Sequence, residues 1–233
     1  MGNSTSGNPH DRPTVRHDLS LDGAISFSVA VCGQMKAGKS RFINAIRGIA
    51  DKNAADYAPV GNYDATTDVK KYAFRDSNLS HIWLYDVPGS GRVSIYSEDY
   101  FKANKLVAFD CVLIFIEGRI REEDIQLAKI ARDKGIPFKF ILSKCDERIK
   151  RHQTDHAVDQ GTAKKEFSKN TTAVTRKQLY EKGDLAMSQT DVFLISSEVI
   201  ENPEEYRDYR IDEDYLLRYI TTQVPLDVQR TAS

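Results

Sequence analysis

The sequence predicts an α/β fold in which helices cover both faces of a mostly parallel six-stranded sheet. Six short apolar or β-branched segments are bounded by turn residues, as expected of buried strands: "ISFSVAVC", "VKKYAF", "HIWLYDV", "CVLIFI", "FKFILS" and "VFLIS". Segments with helical spacing lie between several of them, and this alternation builds right-handed βαβ units. Because ligands of such sheets bind beyond the carboxyl ends of the strands, the functional residues are expected just after each strand.

Length, composition and charge indicate one globular domain without a membrane-spanning helix. The chain has 233 residues, of which 40% are hydrophobic and 29% charged, enough for one good core. Its formal net charge of −1 provides no overall field that would select nucleic acid, so no nucleic-acid partner is expected. The longest apolar runs fall short of the roughly 18 residues that a transmembrane helix needs. The cysteines lack CxxC spacing and are interpreted as reduced residues of the core or site wall, as in a cytosolic protein: Cys32, Cys111 and Cys145.

The chain divides into an arm, a domain and a tail. Residues 1–22 contain no apolar segment and are predicted to form a flexible arm, residues 23–225 a globular domain, and residues 226–233 a C-terminal tail. Within the domain, residues 147–190 begin with a polar, lysine-rich stretch, which indicates a variable insertion or helical segment. Helical spacing is found in four segments: 40–49, 121–135, 175–188 and 212–224.

The first residues of the chain match an acylation pattern. Removal of Met1 would expose Gly2, and Ser6 stands at the position that N-myristoylation favours. Gly2 is therefore a lipidation candidate, although a coincidental glycine and serine in a polar segment would give the same pattern. One myristoyl chain alone would hold a membrane only weakly and reversibly.

The segment "GQMKAGKS" follows the first predicted strand and precedes an amphipathic helix, which is the context of a phosphate-binding loop. Its two glycines let the backbone turn so that successive amides point at phosphate oxygens, and the helix N-terminus adds a positive dipole end. Lys39 is expected to neutralise the β- and γ-phosphates, and the Ser40 hydroxyl to bind Mg²⁺. The nucleotide-binding residues predicted here are Gly33, Ala37, Gly38, Lys39, Ser40 and Arg41.

Two further segments are predicted to face the γ-phosphate. The third strand ends in "DVPGSG", where Asp86 is placed to hold Mg²⁺ through a water and the Gly89 amide to bond a γ-phosphate. A threonine between the first helix and the second strand could bind Mg²⁺ with its hydroxyl and phosphate with its amide. Thr67 is the first choice and Thr66 the second; the alternative is a threonine pair that begins a strand.

The fifth and sixth strands run into residues suited to a purine base. Asp146 of "SKCD" can accept two hydrogen bonds from guanine, whereas adenine presents a mismatched edge, so guanine is favoured. Lys144 is expected to lie along the base plane, and Ser143 replaces the usual Asn or Thr while keeping a hydroxyl. A backbone amide at Ser196 or Ser197 could contact guanine O6; a surface turn is the alternative explanation of "SKCD".

These elements, "GQMKAGKS", "TT", "DVPGSG" and "SKCD", resemble in order those of the P-loop GTPases. The stretches "GKSRFINAIRG", "LYDVPGSG" and "VFLISS" are most similar to the immunity-related GTPases, the interferon-inducible group, over residues 25–224. The resemblance implies a Ras-like G domain that binds GTP and GDP with Mg²⁺ and assembles through nucleotide-bearing faces. It also implies action at intracellular membranes, aided in some members by myristoylation. The family's helical region after the G domain is not part of this sequence, which suits either a minimal relative or a fragment.

Hydrolysis by the isolated chain is expected to be slow. No glutamine follows Gly89 to orient an attacking water, because Ser90, Gly91 and Arg92 stand there instead. Lys36 resembles in position the internal arginine finger of guanylate-binding proteins and is hypothesised to neutralise transition-state charge. A plain solvent-facing lysine is the alternative. Arg92 is a second cation that could act within one molecule or across a dimer.

The predicted function is a GTPase switch that hydrolyses GTP to GDP with Mg²⁺, with Lys39, Thr67 and Lys36 as catalytic residues. Activation by self-association at intracellular membranes is expected, in a nucleotide-dependent homodimer or a heteromer with related GTPases. The chain is predicted to be cytoplasmic, with peripheral membrane contact. The alternative is a non-hydrolysing or very slow GTP-binding module that partners full-length relatives. A P-loop ATPase is disfavoured by Asp146.

Overall fold

Six strands, each at a position predicted from the sequence, form one sheet in the computed structural model, which describes residues 11–19, 21, 26–61, 68–89 and 97–225. The strands are β1 (Phe27–Gly33), β2 (Lys70–Ala73), β3 (Ile82–Asp86), β4 (Cys111–Ile116), β5 (Phe138–Leu142) and β6 (Val192–Leu194). Their order is β2-β3-β1-β4-β5-β6, with only β2 antiparallel to its neighbour. The predicted mostly parallel α/β sheet is confirmed.

Helices cover both faces of this sheet, as predicted. They are α1 (Arg12–Asp18), α2 (Lys39–Ile46), α3 (Ser97–Ala103), α4 (Glu122–Asp133), α5 (Cys145–His156), α6 (Gln160–Lys182), α7 (Leu185–Ser188), α8 (Ser197–Glu201) and α9 (Glu213–Arg218). A π-helical turn, Tyr219–Gln223, continues α9.

The two central strands divide the core into two layers. Every residue of β1 and β4 is buried, and successive side chains alternate between the two sheet faces. Val29 packs in the layer beneath α2 and α9, whereas the next residue, Ala30, packs in the layer beneath α1, α3 and α4. The predicted core positions of Cys32, Cys111 and Cys145 are confirmed, because all three are buried and free of disulfides.

The predicted flexible arm is wrong for Arg12–Asp18, which form α1. Val15 of this helix is buried in the core, and Arg12 and Arg16 hold Asp110 at 2.8 and 2.9 Å. Asp110 is itself buried and accepts hydrogen bonds from the backbone and the hydroxyl of Ser28. A short polar helix with one buried apolar residue has no readable periodicity, and its attachment depends on a carboxylate far along the chain. Residues 1–10, with Gly2, and residues 226–233 lie outside the described residues.

The polar segment 147–190 is helical. It forms most of α5, all of α6 and α7, and α6 begins at Gln160, well before the helix predicted from residue 175. Asp159 caps α6 by accepting a hydrogen bond from the Thr162 amide at 3.0 Å. The buried residues of this long helix are few, namely Ala163, Thr175 and Leu179, so its apolar stripe is weak in the sequence. Within the described residues, no helix is long and apolar enough to cross a membrane.

Candidate functional site

The phosphate loop joins β1 to α2 and needs glycine at both ends. Gly33 has φ +112°, and a Cβ there would lie 2.3 Å from the Phe115 carbonyl oxygen of β4. Gly38 has φ +81° and caps the N-terminus of α2. Lys39 is buried and donates to the Gln34 carbonyl oxygen at 3.0 Å, so its ammonium group folds back over the loop. Burial lowers the pKa of Lys39, and the nearby Asp86 charge opposes that change.

Ser40 and Asp86 meet at the ends of α2 and β3. The Ser40 hydroxyl donates to Asp86 Oδ2 at 2.6 Å, and the Asp86 side chain is almost fully buried. A hydroxyl and a carboxylate are hard oxygen ligands of the kind that Mg²⁺ takes, so the donor set fits this ion. Thr66 and Thr67 lie outside the described residues, and their proposed contribution to the metal site stays a prediction.

Gly89 lies against the phosphate loop. A Cβ at this position would come within 2.9 Å of the Met35 side chain and 3.0 Å of Lys39 Nζ. The backbone therefore approaches the lysine more closely than any side chain would allow, while contact of the Gly89 amide with a phosphate stays a prediction. Arg92 lies outside the described residues.

The residues predicted to recognise the base follow β5 and β6. Asp146 is only 3% exposed, and its Oδ1 accepts a hydrogen bond from the Ser196 hydroxyl at 2.6 Å. Ser196 is held in turn by Glu213, whose carboxylate accepts from the Ser196 amide at 2.8 Å. Burial raises the pKa of Glu213. Lys150 Nζ lies 3.7 Å from Asp146 Oδ2, on the next turn of α5.

Ser143 replaces the Asn or Thr that usually begins the predicted base-recognition motif, and its side chain makes a specific contact. Its hydroxyl donates to the carbonyl oxygen of Ala37, which ties the base-recognition loop to the phosphate loop. The next residue, Lys144, has a left-handed backbone at φ +59° and places its ammonium group 3.8 Å from Glu117. The serine hydroxyl is thus long enough to reach the neighbouring loop.

These elements enclose one cavity of about 440 Å³, a volume typical of small-ligand sites. Most of the predicted residues line it, including Ser197, the first residue of α8. Of the predicted residues that the structure describes between 26 and 225, Gly33, Ala37 and Asp86 do not line it, and all three are buried. A second cavity of about 930 Å³ lies at the opposite ends of β5 and β6 and contains none of the predicted site residues.

Two predicted cations stand at the mouth of the cavity. Arg41 is engaged in ion pairs with Glu198 at 2.6 Å and Glu201 at 2.9 Å, which join α2 to α8. Lys36 is exposed and has a left-handed backbone at φ +62°, in the middle of the phosphate loop. Its proposed part in hydrolysis stays a prediction.

Sequence reasoning missed part of the cavity wall and the support behind the loop. Pro59, Val60 and Gly61 line the mouth, and no pattern marks them because they belong to an irregular connection. Gln34 donates to Asp124 at the start of α4, and Arg121 N also donates to this carboxylate. Burial raises the pKa of Asp124 to about 6. The acidic first turn of α4 reads as ordinary helix capping, so only the fold reveals this link.

A phosphate loop after β1, an Asp-x-Pro-Gly segment after β3 and an aspartate after β5 define the class of P-loop GTPases. Two solved structures of this class have a similar fold. The bacterial dynamin GTPase LeoA from ETEC gives a TM-score of 0.59 at 16% identity, covering 91% of this chain and 38% of that chain. Era, solved with MgGDPNP and part of 16S ribosomal RNA, gives a TM-score of 0.52 at 16% identity, and the match covers 85% of this chain and 57% of that chain.

Within this class, the chain belongs to the interferon-inducible GTPase (IIGP) family, whose profile matches residues 14–216. T-cell-specific guanine nucleotide triphosphate-binding protein 2 of Mus musculus is 30% identical over 169 residues, which are 72% of this chain and 39% of that protein. Interferon-gamma-inducible GTPase 10 of Mus musculus is 34% identical over 122 residues, 52% of this chain and 28% of that protein. The chain thus spans well under half the length of these relatives.

Proposed function

We propose that the chain is a guanine-nucleotide switch that binds GTP and GDP and hydrolyses GTP. The observation that carries this proposal is a single cavity with a phosphate loop at one end and the buried carboxylate of Asp146 at the other. The family membership and the names of the relatives agree with it. Each end of the cavity supplies a different part of nucleotide recognition.

Asp146 is the specificity residue of the proposed site. Ser196 fixes one carboxylate oxygen, so the orientation of the group is set before a base arrives. A guanine base donates from N1–H and its 2-amino group, whereas adenine would leave the carboxylate buried without these partners. Hydrogen bonds to a charged group contribute about 1.5–3 kcal/mol each, which is enough to exclude adenine.

The phosphate end provides charge and donors. Lys39 is expected to leave the Gln34 carbonyl and to donate to phosphate oxygens, where its charge is better compensated. Ser40 and Asp86 would hold Mg²⁺, and this ion supplies positive charge to the β- and γ-phosphates when bound. The Gly89 amide would donate to the γ-phosphate, and Thr67 would close over it as a sensor. Loss of the γ-phosphate would then release both contacts, which makes the site a switch.

Self-association at the cavity mouth is the proposed route to faster hydrolysis. Met35 and Val60 are 41% and 45% exposed at this mouth, and exposed apolar side chains beside a ligand site favour contact with another protein surface. Lys36 stands among them and is proposed to neutralise transition-state charge, within one molecule or across such an interface. The proposed setting is the cytoplasm, with peripheral membrane contact through an acylated Gly2, and homodimers or heteromers with related GTPases.

A second candidate function is a GTP-binding module that does not hydrolyse its ligand and instead partners longer relatives. The observation that favours it is the sequence Ser90, Gly91 and Arg92 after Gly89, which offers no glutamine to orient water.

GTP turnover across a series of protein concentrations separates the two candidates. The purified chain is assayed for phosphate release with Mg²⁺, with Lys39→Ala as the blank. A specific activity that rises with concentration supports a switch completed by self-association. A rate equal to the blank, together with tight GTP binding, supports the non-hydrolysing module. A failure to bind either GTP or GDP would overturn both.

A further inference from the structure

Tyr100 of α3 places its hydroxyl beneath the segment that follows β3. The side chain is buried, and its O–H donates to the Pro88 carbonyl oxygen at 2.6 Å. The Tyr100 hydroxyl oxygen also accepts a hydrogen bond from the Gly33 amide, whose nitrogen lies 3.5 Å away. One phenol therefore connects the first residue of the phosphate loop to the residue before Gly89. Burial raises the pKa of Tyr100 well above its ordinary value, so the hydroxyl remains a donor at physiological pH.

The contact has a consequence for Gly89 because of peptide geometry. The Pro88 carbonyl and the Gly89 N–H belong to one planar trans peptide unit, in which they point in opposite directions. Fixing the carbonyl toward Tyr100 therefore directs the N–H away from α3. Gly89 lines the cavity, and a Cβ at this residue would lie 3.0 Å from Lys39 Nζ, so the phosphate end of the cavity is within reach of an N–H turned away from α3.

Glycine makes this restraint necessary. A residue without a Cβ rotates more freely than any other, so the peptide before Gly89 would sample several orientations if nothing held it. An amide that must be ordered when the ligand arrives contributes less to affinity than one already in position. Among the described residues, Tyr100 is the side chain seen to bond the Pro88 carbonyl.

We infer that Tyr100 is a positioning residue for γ-phosphate recognition, which acts by holding the Pro88 carbonyl so that the Gly89 amide faces the γ-phosphate. This inference rests on the proposed GTP switch. It assigns to Tyr100 a selective effect: GTP gains from the oriented amide, whereas GDP has no γ-phosphate and gains nothing. A residue that only stabilised the fold would change the affinity for both nucleotides alike.

The test compares Tyr100→Phe with wild type in binding GDP and a non-hydrolysable GTP analogue, both with Mg²⁺. The variant loses the hydrogen bond that orients the Gly89 amide and also the longer contact, at 3.5 Å, from the Gly33 amide to the phenol oxygen. The affinity for the analogue is expected to fall by about fivefold or more, whereas GDP affinity should stay within about twofold of wild type because the Gly33 contact is at the limit of hydrogen-bond distance. Tyr85→Phe is the matched control, because Tyr85 is also buried in the same core layer but packs against Phe109 and does not line the cavity. It should leave both affinities unchanged.

If Tyr100→Phe lowers the affinities for GDP and for the analogue equally, or leaves the affinity for the analogue unchanged, the inference is overturned while the proposed function stays intact. If wild type binds neither nucleotide, the proposed function fails, and the inference fails with it. These two failures are distinguishable because the wild-type measurement comes first.

A measurement on the wild-type chain covers the case in which Tyr100→Phe does not fold. A buried, hydrogen-bonded phenol proton exchanges slowly enough to be followed by NMR in a chain with labelled tyrosine. The Tyr100 hydroxyl proton should be protected in both the GDP complex and the analogue complex. Its loss in the analogue complex would show that the bond is broken in the state it is meant to serve, and would overturn the inference.

Discussion

The Ser143 hydroxyl donates a hydrogen bond to the carbonyl oxygen of Ala37, and this contact joins the loop predicted to recognise the base to the phosphate loop. Both loops sit at the carboxyl edge of the sheet but come from strands more than one hundred residues apart. The two ends of the cavity are therefore set at a fixed separation before a nucleotide binds.

Ser143→Ala is expected to lower the affinity for GDP and for GTP alike, by about fivefold, because it removes one buried hydrogen bond between the loops. Titration with a fluorescent guanine nucleotide measures the effect. Ser188→Ala is the matched control, since the Ser188 hydroxyl also donates to a carbonyl oxygen, that of Leu185 at 2.7 Å, far from the cavity. A loss confined to GTP would contradict the loop-joining role.

Asp146→Asn is expected to lower affinity for GTP by about 100-fold or more, since two hydrogen bonds to a charged acceptor are lost or inverted. Xanthosine triphosphate should bind the variant better than it binds wild type, because xanthine carries a carbonyl where guanine carries the 2-amino group. Competition binding measures both. Asp133→Asn, at an exposed position on α4, is the control and should change neither value. Unaltered base preference in Asp146→Asn would refute the assignment.

Asp124 gives the stability a defined pH dependence. Burial raises the pKa of this carboxyl in the folded state to about 6 from an ordinary 3.8, so the folded chain binds the proton more tightly than the unfolded chain. Stability from this group is therefore greatest below pH 4, falls as pH rises from about 4 to 6, and stays reduced above that. Gln34 and Arg121 donate to the same Asp124 oxygen, so Asp124→Asn can keep both hydrogen bonds on its one acceptor oxygen without the buried charge.

The variant should consequently be more stable than wild type at neutral pH, with a difference that grows between about pH 4 and 6 at up to roughly 1.4 kcal/mol per pH unit. Urea unfolding at several pH values gives the two free energies. A difference that is the same at every pH would mean that packing, rather than ionisation, accounts for the change.

Removing both arginines that hold Asp110 should detach α1 without disturbing the nucleotide site. The double variant Arg12→Ala, Arg16→Ala leaves a buried carboxylate whose remaining partner among the described residues is Ser28, at a cost of about 3–5 kcal/mol in the free energy of unfolding. Limited proteolysis should cut near α1 sooner than in wild type, while GDP affinity stays constant. Lys102→Ala breaks an exposed ion pair with Glu98 and serves as the control.

The sheet could be predicted from sequence because its central strands are buried throughout. The sequences of β1 and β4 are continuous apolar runs, which predict buried strands. Because ligands of such sheets bind at the carboxyl ends of the strands, the motifs that follow the strands are predicted to lie together there. Ser40 and Asp86 are 46 positions apart in the chain, yet the topology alone brings them to hydrogen-bonding distance. The gathering of these residues around one cavity was thus within reach of sequence reasoning.

The parts that could not be predicted depend on pairings without a local pattern. Gln34 meets Asp124, 90 positions away, from a loop position where any residue satisfies the phosphate-loop pattern. The arginines of α1 meet Asp110 in the same way, so a polar helix looked like a flexible arm. Nothing in the sequence "SEDYFKA" shows whether the Tyr100 hydroxyl makes a specific hydrogen bond or whether the ring only packs in the core.

The close approach of Gly33 to the Phe115 carbonyl separates two kinds of constraint within one motif. Any side chain at this position would force β1 from β4, so Gly33 is required for the sheet to close even if no nucleotide ever binds. Lys39 and Asp146 carry no such obligation, and their loss would empty the cavity while sparing the architecture. In a related protein that no longer bound nucleotides, Gly33 would still be required, whereas Lys39 and Asp146 could be replaced. Lys39 and Asp146, rather than Gly33, are therefore the residues that indicate whether a chain of this fold can still bind a nucleotide.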